Sequence, residues 1–394
     1  MKTAIINCIL LTPFRYVENA GVLIEGEKIL ELFEGKPPVQ AERIVDAKGA
    51  YVSPGFIDMH THGGGGFEYL DGTCEAFEGA GKFHMRYGAT TIMPTISASV
   101  DEEMFAALDA FKQVKKSMKS GPDFFGVHLE GPYFSVEEKG AQDPRFLKPP
   151  TPDHYLKFLN YSDDIVRWSS APELPGALEL ADELGRRGIV CALGHSAATY
   201  QQLIPAFERG YTHVTHLYSG CSLLRRINAF RYMGVVDSAF AIDNMTVEII
   251  ADGRHLPREL LKLIVKLKPW DKISLITDSM RCAGMPEGSV HYTGSKENGI
   301  QVLIEDEVAK LSDRSAFAGS IATTDRLVRN MRNLAEVPLL DAVRMMTYNP
   351  ACVMHIQNKK GILAPGKDAD ICIFDDDINI KAVFVKGELT VNNL

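Results

Sequence analysis

The sequence predicts an α/β chain, a (β/α)8 barrel carrying a small β domain assembled from both chain ends. Three observations lead there. Eight short apolar, mostly β-branched runs alternate with helical patterns from residue 56 onward, and runs apolar on both faces are what parallel strands look like. Most of these runs end in a polar residue, as expected where a barrel presents its active site at the strands' C-terminal rim. Short strand-like segments flank the alternation on both sides. An open doubly wound sheet would need a phosphate or dinucleotide loop, but Gly63-x-Gly65 lacks the G-x-G-x-x-G spacing and no G-K-[ST] follows.

Segments 3–11, 21–25 and 28–33 read as strands, the last two joined by a tight Glu25-Gly26-Glu27-Lys28 hairpin, and 43–45 and 49–52 add two more. The pattern changes at Ser53-Pro54-Gly55, so 1–53 together with 359–394 are assigned to the small β domain and 54–358 to the barrel. The first barrel strand, 56–59, runs into His60, Thr61, His62 and four glycines. A helix over 75–87 precedes the strand 90–95. A capping box, Ser99-x-x-Glu102, opens a helix with Met104, Leu108, Phe111 and Met118 on one face, ended by Gly121-Pro122. Strand 124–129 finishes in Glu130-Gly131-Pro132, and strand 165–169 precedes Ala171-Pro172-Glu173. Pro175 starts a helix with Leu178, Ala181 and Leu184 inward and Gly188 beyond its end. Strand 189–193 closes on Gly194-His195-Ser196, 213–215 leads to His216, 245–251 to Asp252-Gly253-Arg254-His255, and 272–277 to Asp278-Ser279. Helical stretches 323–336 and 340–348 follow. The segment G-I-L-A-P-G-K-D-A-D, 361–370, is then the hinge into strands 370–374 and 380–385.

With 394 residues, 45% hydrophobic and 24% charged, the composition is that of a soluble globular protein. A net charge of -9 without a Lys/Arg-rich run argues against a nucleic-acid partner. No stretch approaches the roughly 20 apolar residues of a membrane span. The seven scattered cysteines contain no C-x-x-C and read as free thiols of a reducing compartment. The apolar opening 1–11 is short, lacks a cleavage site and is interrupted by Pro13-Phe14-Arg15, so a cytoplasmic location is expected.

The predicted strand ends carry His60 and His62 (first), Glu130 (third), His195 (fifth), His216 (sixth), His255 (seventh) and Asp278 (eighth). Side chains two apart on a strand point to one side, so His60 and His62 should converge. Imidazole nitrogens and carboxylate oxygens together suit zinc or another late first-row divalent ion. Any one of these residues could be an ordinary satisfied polar group; their joint placement at one rim points to a metal. Asp278 has two readings: a base for metal-activated water that then protonates a leaving group, or a cap for the next helix.

The motifs P-G-F-I-D-M-H-T-H-G-G-G-G-F, G-A-T-T-I-M-P-T, H-L-E-G-P-Y-F with K-G-A, L-G-H-S, T-H-L-Y, I-A-D-G-R-H, L-I-T-D-S-M with A-G, and G-x-L-A-P-G-K-D-A-D span nearly the whole chain. Together they resemble the amidohydrolase superfamily and, within it, the N-acetylglucosamine-6-phosphate deacetylase family. The resemblance implies that the small domain is a β-sandwich. It also implies a divalent metal, foremost Zn2+ with Fe2+, Mn2+ or Co2+ as alternatives, at one or two positions per subunit. The implied reaction removes acetate from an N-acetyl amino sugar 6-phosphate, in a homodimer. By motif, Glu130, His195 and His216 would be the main ligands, His60 and His62 would complete a second position with Glu130, and Asp278, also at the metal, would be the general base and then acid. His255 resembles the family histidine that contacts the sugar phosphate or hydroxyls.

Two departures bear on the substrate. The family reads H-L-Y-N-A-M where this chain has His216-Leu217-Tyr218-Ser219-Gly220-Cys221, which puts Ser219 and Gly220 where the family holds the sugar phosphate. The family's K-G-A-H is Lys139-Gly140-Ala141-Gln142 here, which puts Gln142 near the acetyl group. Arg225, Arg226 and Arg231 could bind phosphate, across a dimer interface as in the family, or form a solvated loop. Another amidohydrolase reaction, on N-acyl amino acids as in D-aminoacylases, is the alternative. A cyclic-amide hydrolase is disfavoured because Glu130 stands where such enzymes often use a carbamylated lysine, and a metal-free scaffold because no ligand is missing.

Overall fold

The computed structural model describes residues 1–12, 14–37, 41–294 and 299–394; Pro13, used above as a break in the apolar opening, lies outside them. Eight parallel strands form the barrel: Phe56–Thr61, Ala89–Ser97, Val127–Glu130, Ile165–Ser170, Val190–Leu193, His213–Val214, Thr246–Ile249 and Ile273–Leu275. They pair in chain order, with Asp58 opposite Ile92, Glu130 opposite both Ser97 and Ser169, Leu193 opposite Ser170 and Val214, and Ile249 opposite Leu275. The last strand is tied to the first by the Asp278 N–H donating to the His60 carbonyl at 2.9 Å and by the Thr277 hydroxyl donating to Asp58 at 2.6 Å. The chain is therefore the expected barrel, and its helices wrap it with one large apolar core that includes Phe77, Phe111, Phe158, Trp168, Leu261 and Met345.

The terminal strands form one eight-stranded sheet. The C-terminal meander Ile371–Phe374, Ile380–Val385 and Glu388–Asn392 joins the N-terminal strands through Ile371–Phe374, antiparallel to Tyr51–Pro54. The sheet has its own core of Ile5, Val22, Ile24, Val52, Ile371, Ile373 and Phe384. At its junction with the barrel the buried Lys360 ammonium bridges Asp123, at 2.9 Å, with Asp368 and Asp370. Burying such a charge is tolerable only because carboxylates surround it.

Some local expectations are corrected. Ser99 does not cap its helix: the helix is Asp101–Ser117 with Val100 at the cap, and the Ser99 hydroxyl instead donates to the Glu103 side chain. The expected strand 124–129 is two pieces, Asp123–Phe124 and Val127–Glu130. Two additions matter for the site. A hairpin, Arg225–Ile227 with Phe230–Tyr232, follows the sixth strand. A three-stranded sheet, Val290–Thr293, Ile300–Glu305 and Val308–Leu311, follows the eighth. The latter packs through Met280, Cys282, Val302, Ile304 and Ala309. Arg281 pins it: the guanidinium donates to Asp71 at 2.7 and 3.0 Å, to Glu68 at 3.1 Å, and to the carbonyls of Tyr292 and Gly294.

Candidate metal centre and active-site pocket

All six residues expected at the metal meet at the C-terminal rim. His60 and His62 leave the first strand with Nε2 atoms 3.4 Å apart. The glycines behind them serve two needs: Gly65 and Gly66 adopt positive φ of 64° and 92°, whereas Gly63 and Gly64 make room, since a Cβ would stand 2.1 Å from the Phe67 carbonyl and 2.5 Å from the Phe83 ring. His195, His216 and Asp278 follow their strands at φ of 47°, 29° and 47°. Left-handed backbone is costly for non-glycine residues and clusters at functional sites. Glu130 is buried at the centre: its Oε1 lies 2.9 Å from His216 Nε2, 3.4 Å from His195 Nε2 and 3.5 Å from His60 Nε2, and its Oε2 3.3 Å from His62 Nε2. Asp278 Oδ1 lies 3.1 Å from His62 Nε2 and 3.4 Å from His60 Nε2. The residues thus make two candidate ligand groups, His60–His62–Glu130 and Glu130–His195–His216, with Glu130 common to both.

The outer nitrogens test whether a cation fits. His195 Nδ1 lies 2.9 Å from the Glu138 carbonyl and His60 Nδ1 2.9 Å from Glu248 Oε1. Both partners only accept, so both Nδ1 atoms carry a proton and both rings present Nε2, the atom a metal would use, toward Glu130. Ring nitrogens and carboxylate oxygens packed this closely need a proton or a metal ion among them. The donor set therefore fits a divalent metal.

The charge state of these groups follows from the same crowding. Burial opposes ionisation of Glu130, yet the His60 charge and hydrogen bonds from His195, His216 and His62 hold its carboxyl well below the usual range. Burial likewise pushes His62 down, but hydrogen bonds to Asp278 and Glu130 outweigh it and raise the imidazole to about 10. A proton then occupies His62 below that pH and must leave before a metal ion binds. Affinity is therefore lost as pH falls. Between pH 6 and 8 we expect roughly a tenfold gain in apparent zinc affinity per pH unit for each proton displaced. Competition with a chromophoric chelator measures this, and a flat profile contradicts it.

One pocket opens on this centre, lined by His62, Glu130, His195, His216 and Asp278 and, around them, by Gln142, Ser219, Gly220, His255 and Phe317. His255 is oriented by the buried Asp252, whose Oδ2 lies 2.7 Å from its Nδ1, and packs edge-on against Phe317 with ring centroids 4.9 Å apart. Gln142 donates from its amide to Glu130 Oε2 at 3.0 Å. Arg226 and Arg231 face each other across the hairpin, exposed, and do not line the pocket. Arg225 is spent on the Ala197 carbonyl, at 2.8 Å, and on Glu137. No lysine or arginine lines the pocket among the described residues.

Gly220 explains one departure from the family pattern locally. It sits at φ +53°, and a Cβ would stand 2.5 Å from His195 Nδ1 and 2.9 Å from the Glu138 carbonyl, the two atoms that bond each other. Gly220→Ala should pry that bond apart. The expected result is a roughly 10–100-fold loss of metal affinity with an unchanged far-UV dichroism spectrum; wild-type affinity would show that the bond is dispensable.

Sequence reasoning missed the groups behind the ligands. Ser97 Oγ lies 2.9 Å from His62 Nδ1, and His84 Nε2, on the first barrel helix, lies 2.7 Å from the Gly63 carbonyl. Glu248 and Arg167, both fully buried, form a two-pronged ion pair at 2.7 and 2.8 Å behind His60. The signal was available: each is the lone charged residue inside an otherwise uncharged strand, T-V-E-I and I-V-R-W-S-S.

Comparison with known proteins agrees with this geometry. The family model described as Amidohydrolase family matches residues 51–390. The chain is 31% identical over 357 residues to an N-acetylglucosamine-6-phosphate deacetylase of Lysinibacillus sphaericus, covering 88% of this chain and 87% of the relative. It is 29% identical over 381 residues to an N-acetylgalactosamine-6-phosphate deacetylase of Escherichia coli O157:H7, covering 96% and 97%. Among solved structures, N-acetylglucosamine-6-phosphate deacetylase from Pasteurella multocida superposes with a TM-score of 0.91 at 28% identity over the full length of both chains.

Proposed function

The chain belongs to the amidohydrolase family, and within it to the N-acetylglucosamine-6-phosphate deacetylases, and on that premise we propose how its own residues carry out the reaction. The enzyme is a metal-dependent hydrolase that removes acetate from an N-acetylhexosamine 6-phosphate, N-acetylglucosamine 6-phosphate foremost. The observation that carries this reading is the convergence of four imidazoles on the single buried carboxylate of Glu130, with Asp278 against two of them.

Glu130, His195 and His216 hold one metal position, and His60, His62 and Glu130 a second, with Asp278 beside it. The nitrogen-and-oxygen donor set suits Zn2+ best and accommodates Fe2+, Mn2+ or Co2+. The chemistry such an ion supplies is polarisation of the acetamide carbonyl and a lowered pKa for water. Asp278 supplies the proton traffic. Burial works against its ionisation, but the surrounding imidazoles hold its carboxyl below the usual value, so it is ready to accept. It takes a proton as water adds to the carbonyl carbon and returns it to the amide nitrogen as the C–N bond breaks. That return is needed because an unprotonated amide nitrogen is a very poor leaving group. His255, held by Asp252, and the neighbouring Ser219 and Gly220 position the sugar. Gln142 steadies Glu130 from the pocket side.

Phosphate recognition is assigned to Arg226 and Arg231 of a second copy in a homodimer. Two features support it: the absence of lysine and arginine from the described pocket lining, and the hairpin region's exposed Leu223, Leu224, Ile227 and Phe230. A location in the cytoplasm is supported by the seven free cysteines, and no helix among the described residues is long and apolar enough to cross a membrane. The sheet pairing supports the division into 1–53 with 359–394 and 54–358.

The test is acetate release by zinc-loaded protein from N-acetylglucosamine 6-phosphate, N-acetylgalactosamine 6-phosphate, their unphosphorylated forms and N-acyl amino acids. A kcat/KM on one phosphorylated sugar about 100-fold or more above its unphosphorylated form is expected, the order of one to two charge-assisted contacts. Equal turnover of both forms, or preference for N-acyl amino acids, overturns the substrate assignment.

A further inference from the structure

Of the four imidazoles at the centre, His60 alone is backed by a carboxylate. The other outer nitrogens meet a hydroxyl at Ser97 and a carbonyl at Glu138, and His216 Nδ1 has no hydrogen-bond partner. The carboxylate behind His60, that of Glu248, is itself oriented. Arg167 grips it with both terminal nitrogens, at 2.8 Å to Oε2 and 2.7 Å to Oε1, and the same guanidinium donates to the Met59 carbonyl and to Thr215 Oγ1, each at 3.2 Å. Glu248 Oε1 also accepts the His216 N–H at 3.3 Å. The pair thereby links the first, fourth, sixth and seventh strands just beneath the ligands. Both partners are wholly buried. A buried ion pair is often no more stabilising than apolar residues of the same size, so fold stability is a weak reason for this one to be there.

We propose that Glu248, aimed by Arg167, is a positioning residue that fixes the tautomer and direction of His60 and so sets the affinity of the His60–His62–Glu130 metal position, leaving the Glu130–His195–His216 position nearly independent of it. The physical reason is local. A carboxylate accepting from Nδ1–H keeps the lone pair on Nε2, holds the ring plane, and makes the imidazole a better donor than a hydroxyl or carbonyl does. This inference rests on the reading of the centre as a metal site, though not on the identity of the sugar.

The test is ion counting on the intact chain, stripped with chelator and titrated with Zn2+, with Co2+ absorption as a second readout. Wild type should take up two ions. Glu248→Gln should keep one at wild-type affinity and bind the second about 10–100-fold more weakly, with a changed cobalt spectrum for that ion alone. If Glu248→Gln fails to fold because its amide faces the guanidinium, the neutral pair Glu248→Gln with Arg167→Met provides the same comparison. In a His60→Asn background, where one ion remains, adding Glu248→Gln should leave that ion's affinity unchanged, which a general loss of packing would not. The proposal is overturned by one ion in wild type, by an unchanged second affinity in the folded variant, or by weakening of the remaining ion in the His60→Asn background. Lack of acetate release from any sugar phosphate by two-ion wild type would overturn the substrate reading and leave this inference standing.

Discussion

Asp278→Asn should retain its metal and lose roughly 10²–10⁴-fold in kcat, the usual contribution of a positioned acid–base group. The substitution is unusually clean here. Asp278 sits at φ +47°, a region asparagine tolerates as well as aspartate does. Its backbone is anchored on both sides, by its N–H to the His60 carbonyl and by its carbonyl to the Ser320 N–H, at 2.9 and 2.8 Å. The asparagine oxygen can still face His60 and His62 from the same distance. What disappears is a carboxylate able to take up and return a proton, on which the proposed role of Asp278 rests. Metal analysis beside acetate release separates the two effects. Loss of the ion together with activity would make Asp278 mainly a ligand, and near-normal kcat would remove it from proton transfer.

How much of this was legible in the sequence follows from where each residue stands relative to a strand end. His195, His216 and Asp278 were legible because each directly follows a short apolar run, and a barrel brings all such ends to one rim. His60 and His62 add a spacing that puts two imidazoles together. Glu248 and Arg167 were not proposed because they lie inside strands, where the pattern does not say which charged residue finds which partner across the barrel. The sheet over 290–311 was missed although V-L-I-E-D-E-V-A-K-L reads as a hairpin, since attention to strand–helix alternation leaves no place for an antiparallel insertion. The Ser99 box failed for another reason. The helix begins one residue later than the box requires, and a serine beside several carboxylates has other partners to choose from. Arg226 and Arg231 show the limit of a motif read along one chain: sequence proximity to His216 brought them to a hairpin outside the pocket lining.

Glu130→Gln should be the most damaging single change at the centre, and the reason is that both ligand groups share this one carboxylate. His60→Asn is expected to leave one ion in place, whereas Glu130→Gln should empty both positions and lower turnover by more than about 10⁴-fold, the loss of Lewis-acid and water activation together. The same change should not unfold the protein. A glutamine fills the same space, its oxygen can still accept from Gln142, which now donates to Glu130 at 3.0 Å, and its amide can donate to the lone pair of His216 Nε2, 2.9 Å from the present oxygen. It also removes the carboxylate that the surrounding imidazoles hold ionised, an interaction that favours the folded state at neutral pH. The metal-free variant should therefore stay folded but melt below the metal-free wild type at neutral pH, while the rise in Tm that zinc produces in wild type vanishes. Retention of one ion with more than about 1% of wild-type kcat, a barrier change of under 3 kcal/mol, would mean that the two groups hold their ions separately and that Glu130 is not their common element.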